Sequence, residues 1–194
     1  MKICMIGTGY VGLVSGACFA ELGNTVFCVD KDYTKIDLLN NGEIPIYEPG
    51  LQEIVKKNYS ANRLIFTTNL SLAVKSSDII FICVGTPTSK KSHSADLQYV
   101  FKAAAEISKH INKFKIIVTK STVPITTGDK IEKIISKRRR RNLFEVISNP
   151  EFLREGEAIR DFRFPDRIVI GTNNNKIISI IKRISIEIVV IYII

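Results

Sequence analysis

Near the amino terminus, Gly7-Thr8-Gly9-Tyr10-Val11-Gly12 sets three glycines at GxGxxG spacing, directly after the apolar run Lys2–Ile6. If that run is a strand and the glycines open a helix, each glycine has its own task. Gly7 permits the tight turn, Gly9 lets the backbone approach a pyrophosphate, and Gly12 allows close packing of helix on strand. The free amides of the helix start, around Tyr10 and Val11, then face the phosphates. Asp30 ends the next β-rich run, Thr25–Val29. A carboxylate at that place accepts hydrogen bonds from a ribose diol and repels a 2′-phosphate, so the pattern predicts NAD rather than NADP. Lys35, one helical turn further on, is placed to cap the adenosine side, although a solvated helix lysine also explains it.

Three further apolar runs end in polar or glycine-rich signatures. Ile79–Val84 leads into Gly85-Thr86-Pro87-Thr88, and Lys115–Thr119 into Lys120-Ser121-Thr122-Val123-Pro124. Phe144–Ile147 leads into Ser148-Asn149-Pro150-Glu151-Phe152-Leu153-Arg154-Glu155-Gly156. In open α/β sheets ligands bind at the carboxyl edge of the strands, where all four signatures would meet. The last signature predicts a helix with Asn149 as N-cap and Pro150 as its first residue. Glu151 and Glu155, four apart, would then project from one face, available for acid/base work or, more plainly, for pairing with arginines.

The elements needed to position these residues alternate along the chain. Helices are predicted over Tyr10–Leu22, Tyr33–Asn40, Leu51–Lys57, Ala95–Ile111 and Thr126–Lys137, with another short helix between the strands Leu64–Thr68 and Asp78–Val84. The stripe Leu97, Val100, Phe101, Ala104, Ile107, Ile111 marks one of them as amphipathic. The segment from Gly42 to Gly50 reads as a turn-rich connection, and Arg167–Ile170 as a last strand. Continuous apolar strands alternating with helices predict an α/β fold: a Rossmann-like, doubly wound, mostly parallel sheet with helices on both faces.

Composition sets the outer limits. With 194 residues, 45% hydrophobic and 24% charged, the chain has ample material for a core and excludes disordered, collagen-like and coiled-coil classes. Cys4, Cys18, Cys28 and Cys83 lack metal or redox spacing, and with no signal peptide at the start a reducing cytoplasm is expected, with no metal site. A net charge of +9 favours an anionic partner. The basic block Lys137–Arg141 carries no interleaved aromatics, so it reads as a helix end and not as a nucleic-acid surface. The Ile-, Asn- and Lys-rich tail 173–194 differs in composition from the rest and reads as a divergent end, or alternatively as a helix and strand that complete the sheet. Seven uncharged residues follow Glu187, against roughly 20 needed to span a membrane, so no membrane anchor is expected.

Taken together, GTGYVG, Asp30, GTPT, KSTVP, SNPEFLREG and PDRIVIG over residues 1–172 resemble the NAD-binding half of the UDP-glucose 6-dehydrogenase family. Dehydrogenases of GDP-mannose and UDP-N-acetylmannosamine share several of these motifs. The resemblance implies two successive NAD-dependent oxidations, taking UDP-glucose to UDP-glucuronate. It implies that Gly7, Gly9, Tyr10, Val11, Gly12, Asp30, Lys35, Thr86, Thr122 and Glu155 hold the cofactor. Thr122 and Glu151 would serve the reaction centre and its water, and Glu151, Phe152, Leu153, Arg154 and Glu155 would position the sugar. It also implies a homo-oligomer for the full-length family, and a catalytic cysteine and lysine outside the stretch matched here. On that ground complete turnover by this chain alone is not expected; the alternative readings are a non-catalytic dinucleotide-binding remnant or a dehydrogenase of another nucleotide sugar, GDP-mannose or UDP-N-acetylmannosamine.

Overall fold

The computed structural model describes residues 1–88, 95–124, 126–172, 174–184 and 191–193. Its first half runs β1 (Lys2–Ile6), α1 (Tyr10–Glu21), β2 (Thr25–Val29), α2 (Tyr33–Asn40), α3 (Leu51–Ser60) and β3 (Leu64–Thr67). The chain then crosses through α4 (Leu70–Ser76) to β4 (Ile79–Ile82), α5 (Gln98–His110), β5 (Lys115–Thr119), α6 (Thr127–Ser136) and β6 (Phe144–Ser148). These six strands pair in parallel in the order β3-β2-β1-β4-β5-β6. The order reverses between β1 and β4, and such a reversal opens a crevice at the carboxyl ends of the strands.

The side-chain period of two divides the strands between two cores. Ile3, Met5, Ile79, Phe81, Ile116 and Val118 face α1, α2 and α3. Cys4, Ile80, Ile82 and Ile117 face α4, α5 and α6. Both faces are covered, which is why the strands read as unbroken apolar runs. Helix α1 lies very close to the sheet: a Cβ at Gly16 would stand 2.7 Å from the Cys28 sulfur. At the far end of α1, Gly23 turns the chain with a φ of +87°, the left-handed conformation expected of a C-terminal glycine.

Two sequence expectations need correction. Helix α5 begins at Gln98, not Ala95, because Ala95 bridges to Thr88 and the Asp96 carboxylate accepts the Gln98 amide at 3.0 Å. The strand expected at Arg167–Ile170 is β7 (Ile168–Ile170), and it stands outside the six-stranded ladder. Gly171 makes only an antiparallel bridge to Ser148, at the end of β6. In the tail, α8 (Asn175–Ile184) buries Ile177, Ile178, Ile181 and Ile184, and the backbone of β8 (Ile191–Ile193) pairs with β7 as a separate two-stranded sheet. Residues 173, 185–190 and 194 of the tail lie outside the described residues.

One residue of the basic block closes a helix end and another pairs within the fold. Arg139 donates to the Ser108 and Lys109 carbonyls at the end of α5, at 2.6 and 2.5 Å, and Arg141 pairs with Glu132 at 2.8 Å. Lys115 does the same for α4, its buried ammonium donating to the carbonyls of Lys75 and Ser77. Burial pushes this ammonium down to about 8, helped by Lys113 and opposed by Asp78. The unfolded chain holds the same proton up to roughly 10.4. Between those values the unfolded state binds more protons, so Lys115 adds stability as pH rises. Urea unfolding of the wild type and Lys115→Met is therefore expected to show a stability difference that shifts in favour of the wild type from pH 7.5 to 9.5. A difference that stays level or moves the other way would contradict this placement.

Candidate functional site at the carboxyl edge of the sheet

The glycine turn is built by close backbone contacts. Gly7 sits at φ +100°, its amide donates to the Val29 carbonyl at 2.7 Å, and a Cβ there would fall 2.9 Å from the Cys83 carbonyl oxygen. At Gly12 a Cβ would fall 1.9 Å from the Gly7 carbonyl oxygen, so no side chain fits. Gly9 is the opposite case: nothing lies within 4 Å of the Cβ position, and the space beside the backbone is open. Gly9 caps α1 with no side-chain partner, and the first helical bond runs from Leu13 to Gly9. The amides of Tyr10, Val11 and Gly12 precede that bond, next to the open space. This donor set, with no acid in the first helical turn, suits an anionic group that comes close to the backbone.

Asp30 follows β2 and is tied to the glycine turn. Its Oδ2 accepts from the Thr8 amide at 2.9 Å and the Thr8 hydroxyl at 2.8 Å, and Oδ1 accepts from the Asp32 amide at 3.1 Å. Lys35 stands 3.8 Å from Oδ2. Burial alone would push this carboxyl up, but the Thr8 and Asp32 donors and Lys35 outweigh it and hold Asp30 below the usual range. The carboxylate is thus ionised and oriented, as a receptor for a sugar diol must be.

Beyond the switch point the strand exits step across the edge by backbone bonds. Cys83 donates to the Ile6 carbonyl at 2.9 Å, Lys120 to Ile82 at 3.0 Å, and Asn149 to Thr119 at 3.0 Å. The Thr86 hydroxyl donates to the Thr122 carbonyl at 3.4 Å, bringing these two candidates together. Lys120 is buried, with its ammonium 3.3 Å from Asn149 Oδ1. Burial lowers its proton affinity, and Cys83 and Glu151 raise it again. Sequence reading quoted this lysine inside KSTVP but gave it no role.

The helix expected from Pro150 does not form. Residues 149–154 are neither helix nor strand, turns follow at 155–157, and α7 (Ala158–Arg163) begins at Ala158. Asn149 cannot cap a helix there because its amide donates to the Val169 carbonyl at 2.9 Å while its oxygen accepts from Lys120. Glu151 turns onto the amide of Leu153 at 2.6 Å, so Glu151 and Glu155 do not share a helical face. Glu151, Phe152, Leu153 and Arg154 line a cleft of about 360 Å³ together with Lys120 and Arg167. The Arg167 guanidinium lies 4.4 Å from the centre of the Phe152 ring. Arg154 is engaged by Asp161 at 2.6 Å, and Glu155 is exposed beside the cleft and not in its lining.

A buried carboxylate absent from the sequence reading ties this segment to the glycine turn. Glu48 accepts from the Tyr10 hydroxyl, from the Gly156 amide at 2.9 Å and from the Ile159 amide at 3.3 Å. The Gly156 amide also lies 3.1 Å from the Tyr10 oxygen, which is 3.3 Å from the Arg154 carbonyl. Burial, and then the bond to Glu48, push the Tyr10 phenol up to about 12. The glycine turn and the 151–156 segment therefore share one edge, whereas Asp30 and Lys35 stand at the β2 end of it. The local signal for Glu48 was slight: an acid in the turn-rich stretch Tyr47-Glu48-Pro49-Gly50. Among the described residues no cluster of three or more His, Cys, Asp or Glu side chains could hold a metal, and no helix is long and apolar enough to cross a membrane.

The sequence matches the model of the NAD-binding domain of the UDP-glucose/GDP-mannose dehydrogenase family over residues 1–189, further than the 172 residues on which the resemblance was drawn. It is 55% identical over 175 residues to a UDP-glucose 6-dehydrogenase of Rhizobium meliloti, covering 90% of this chain and 40% of that protein. It is 54% identical over 184 residues to UDP-glucose 6-dehydrogenase TuaD of Bacillus subtilis, covering 94% of this chain and 40% of that protein. The chain thus spans about 40% of the length of these curated relatives. The fold is similar to a GDP-mannose dehydrogenase of Pseudomonas aeruginosa, with TM-score 0.94 and 36% identity over 100% of this chain and 46% of that one. It is similar also to a UDP-glucose dehydrogenase of Pyrobaculum islandicum, with TM-score 0.91 and 37% identity over 97% of this chain and 45% of that one. With the glycine turn, the ionised acid after β2 and this match over nearly the whole chain, the protein belongs to the UDP-glucose/GDP-mannose dehydrogenase family, of which it carries the NAD-binding domain.

Proposed function

We propose that this chain is the cofactor-binding part of a UDP-glucose 6-dehydrogenase, an enzyme taking UDP-glucose to UDP-glucuronate in two NAD-dependent oxidations. The observation that carries the reading is the Tyr10 phenol, whose bonds to Gly156 and to the Arg154 carbonyl tie the start of α1 to the segment that lines the cleft. The choice of UDP-glucose is supported by the 55% and 54% identities to UDP-glucose 6-dehydrogenases, whereas the solved UDP-glucose and GDP-mannose enzymes are alike at 37% and 36%.

In this reading Gly7, Gly9 and Gly12 shape the turn, and the amides of Tyr10 to Gly12 receive the pyrophosphate. Asp30 and Lys35 hold the adenosine ribose, while Thr86, Thr122 and Glu155 line the path to the nicotinamide. The bound cofactor supplies a hydride acceptor for each oxidation. Glu151 takes or returns a proton through water beside Thr122, help of a kind worth roughly 10²–10⁴-fold in rate. Phe152, Leu153 and Arg154 shape the sugar cleft, with Arg154 held by Asp161. Lys120 lines the same cleft as Glu151, with its Nζ donating to Asn149. The protein works among soluble nucleotide sugars, which suits a cytoplasmic location.

The second oxidation of the family uses a thiol, which captures the aldehyde as a thiohemiacetal. Cys4, Cys18, Cys28 and Cys83 are all buried. Burial pushes every one of these thiols up, Cys18 and Cys83 to about 12. None can serve as a nucleophile at neutral pH.

Three outcomes are expected. Gly9→Ala places a methyl group in open space at φ −70°, so its melting temperature should stay close to wild type while NADH affinity, read by fluorescence, drops at least tenfold. Gly12→Ala, by contrast, should lose both. Asp30→Ala should weaken NADH binding about 10- to 100-fold, as expected for a charged hydrogen bond worth roughly 1.5–3 kcal/mol; unchanged binding would remove the ribose contact. Finally, the 194-residue chain given NAD⁺ and UDP-glucose should form no UDP-glucuronate, the product whose formation needs the thiol. Steady formation of UDP-glucuronate would refute the argument from buried thiols.

A further inference from the structure

Segment 149–157 has no helix or strand of its own, and beyond the backbone bond of Asn149 to Thr119 its ties to the rest of the molecule run through side chains. Asn149 is tied to Lys120 and Val169, Arg154 to Asp161, and Gly156 to Glu48 and Tyr10. The first two ties stay on the β5–β7 side of the molecule. The third alone reaches the start of α1, because Tyr10 belongs to the glycine turn itself. Glu48 is only 6% exposed, and its three donors come from α1, the turn after Glu155 and the first turn of α7. A carboxylate buried at that depth is tolerable only when so bonded, and removing it leaves the buried Ile159 amide without its acceptor and strips Tyr10 and Gly156 of the group that joins them. The contacts of Asp30 run to Thr8, Asp32 and Lys35, and Glu48 takes no part in them.

We propose that Glu48 is a positioning residue for the nicotinamide end of the cofactor: its carboxylate holds Tyr10 and Gly156 together, and so fixes the Glu151–Gly156 segment against the glycine turn at the distance a bound dinucleotide needs. This inference rests on the cofactor reading above. The adenosine end is anchored at β2, out of reach of Glu48. The other end must extend across the switch point toward β4, β5 and β6, where segment 149–157 forms its outer wall. Loosening Glu48 therefore moves the wall at one end of the ligand and leaves the other end as it was. The Tyr10 phenol, held near 12, keeps its proton throughout the neutral range, so the tie is constant and is not a pH switch.

Calorimetric titration of the chain with NADH and with ADP-ribose, which lacks only the nicotinamide, separates this role from a general structural one. In Glu48→Gln, NADH affinity is expected to fall fivefold or more while ADP-ribose affinity stays within twofold of wild type. Glu48→Asp keeps the charge but shortens the reach by one methylene, and the same split is expected. Equal losses for both ligands in both variants would show a fold-wide role and overturn the inference, as would NADH affinity unchanged in either. If wild type bound neither ligand, the cofactor reading itself would fall and this inference with it, a result distinct from an unaltered ratio in a chain that binds.

Discussion

Residue 12 has room for a hydrogen atom and nothing more. A methyl group there would overlap the Gly7 carbonyl oxygen at 1.9 Å, and the next glycine along α1, Gly16, is pressed against Cys28 and Met5 in the same way. These two contacts let the helix axis descend onto β1 and β2 far enough for its first amides to open at the level of the strand ends. A helix held further out by side chains would bury the same apolar area with different residues, yet its amino end would stand above the crevice. The geometry of the anion site is thus a packing result before it is an electrostatic one. The helix dipole then acts on a groove that close packing has already formed.

The parallel sheet determines what else reaches that groove. Each strand exit is bonded to the end of its neighbour, so Gly7, Cys83, Lys120 and Asn149 follow one another along a single line of backbone bonds. Residues far apart in the chain become neighbours without any loop having to find its place independently. Where regular structure stops, after Ser148, buried polar groups take over the task. Lys120 and Asn149 hold one end of the segment and Glu48 the other, each in a low-dielectric setting where a fully bonded group adds rigidity and an unbonded one is costly. The wall of the cleft owes its shape to those polar ties more than to apolar packing, for Phe152 itself is half open to solvent beneath Arg167.

How much of this could be read from the residues follows from the range of the forces involved. The strands declared themselves because a sheet covered on both faces demands unbroken apolar runs, and the helices because Val100, Ala104 and Ile107 recur at helical spacing. The glycine turn was legible since its tightest contact is local, Gly12 against the carbonyl of Gly7 five positions earlier. The Asn149-Pro150 start was misread for a complementary reason. As a local pattern it is an excellent helix cap, but its side chain is claimed by Lys120 and by the Val169 carbonyl, 29 and 20 residues away. Glu48 was invisible because its partners lie 38, 108 and 111 residues distant. The tail allowed a helix and terminal strand as one of its two readings, but that strand pairs with β7 in a separate sheet and does not complete the main one.

The charge of the chain also acquires a different meaning once the helix ends are seen. A net +9 with five consecutive cations invites an electrostatic reading toward nucleic acid. Yet Arg139 is spent on the last carbonyls of α5, Arg141 on Glu132 and the Phe144 carbonyl, and Lys115 on the end of α4. Cations at helix carboxyl ends neutralise partial charges of the backbone, so part of the formal excess is internal to the fold and never presented as a field to a partner. The cations that line the cleft, Lys120, Arg154 and Arg167, stand beside acids and an aromatic ring in a space too small for a polyanion but ample for a sugar. A few donors aimed at one sheet edge, as at the start of α1, are an arrangement that suits a single pyrophosphate.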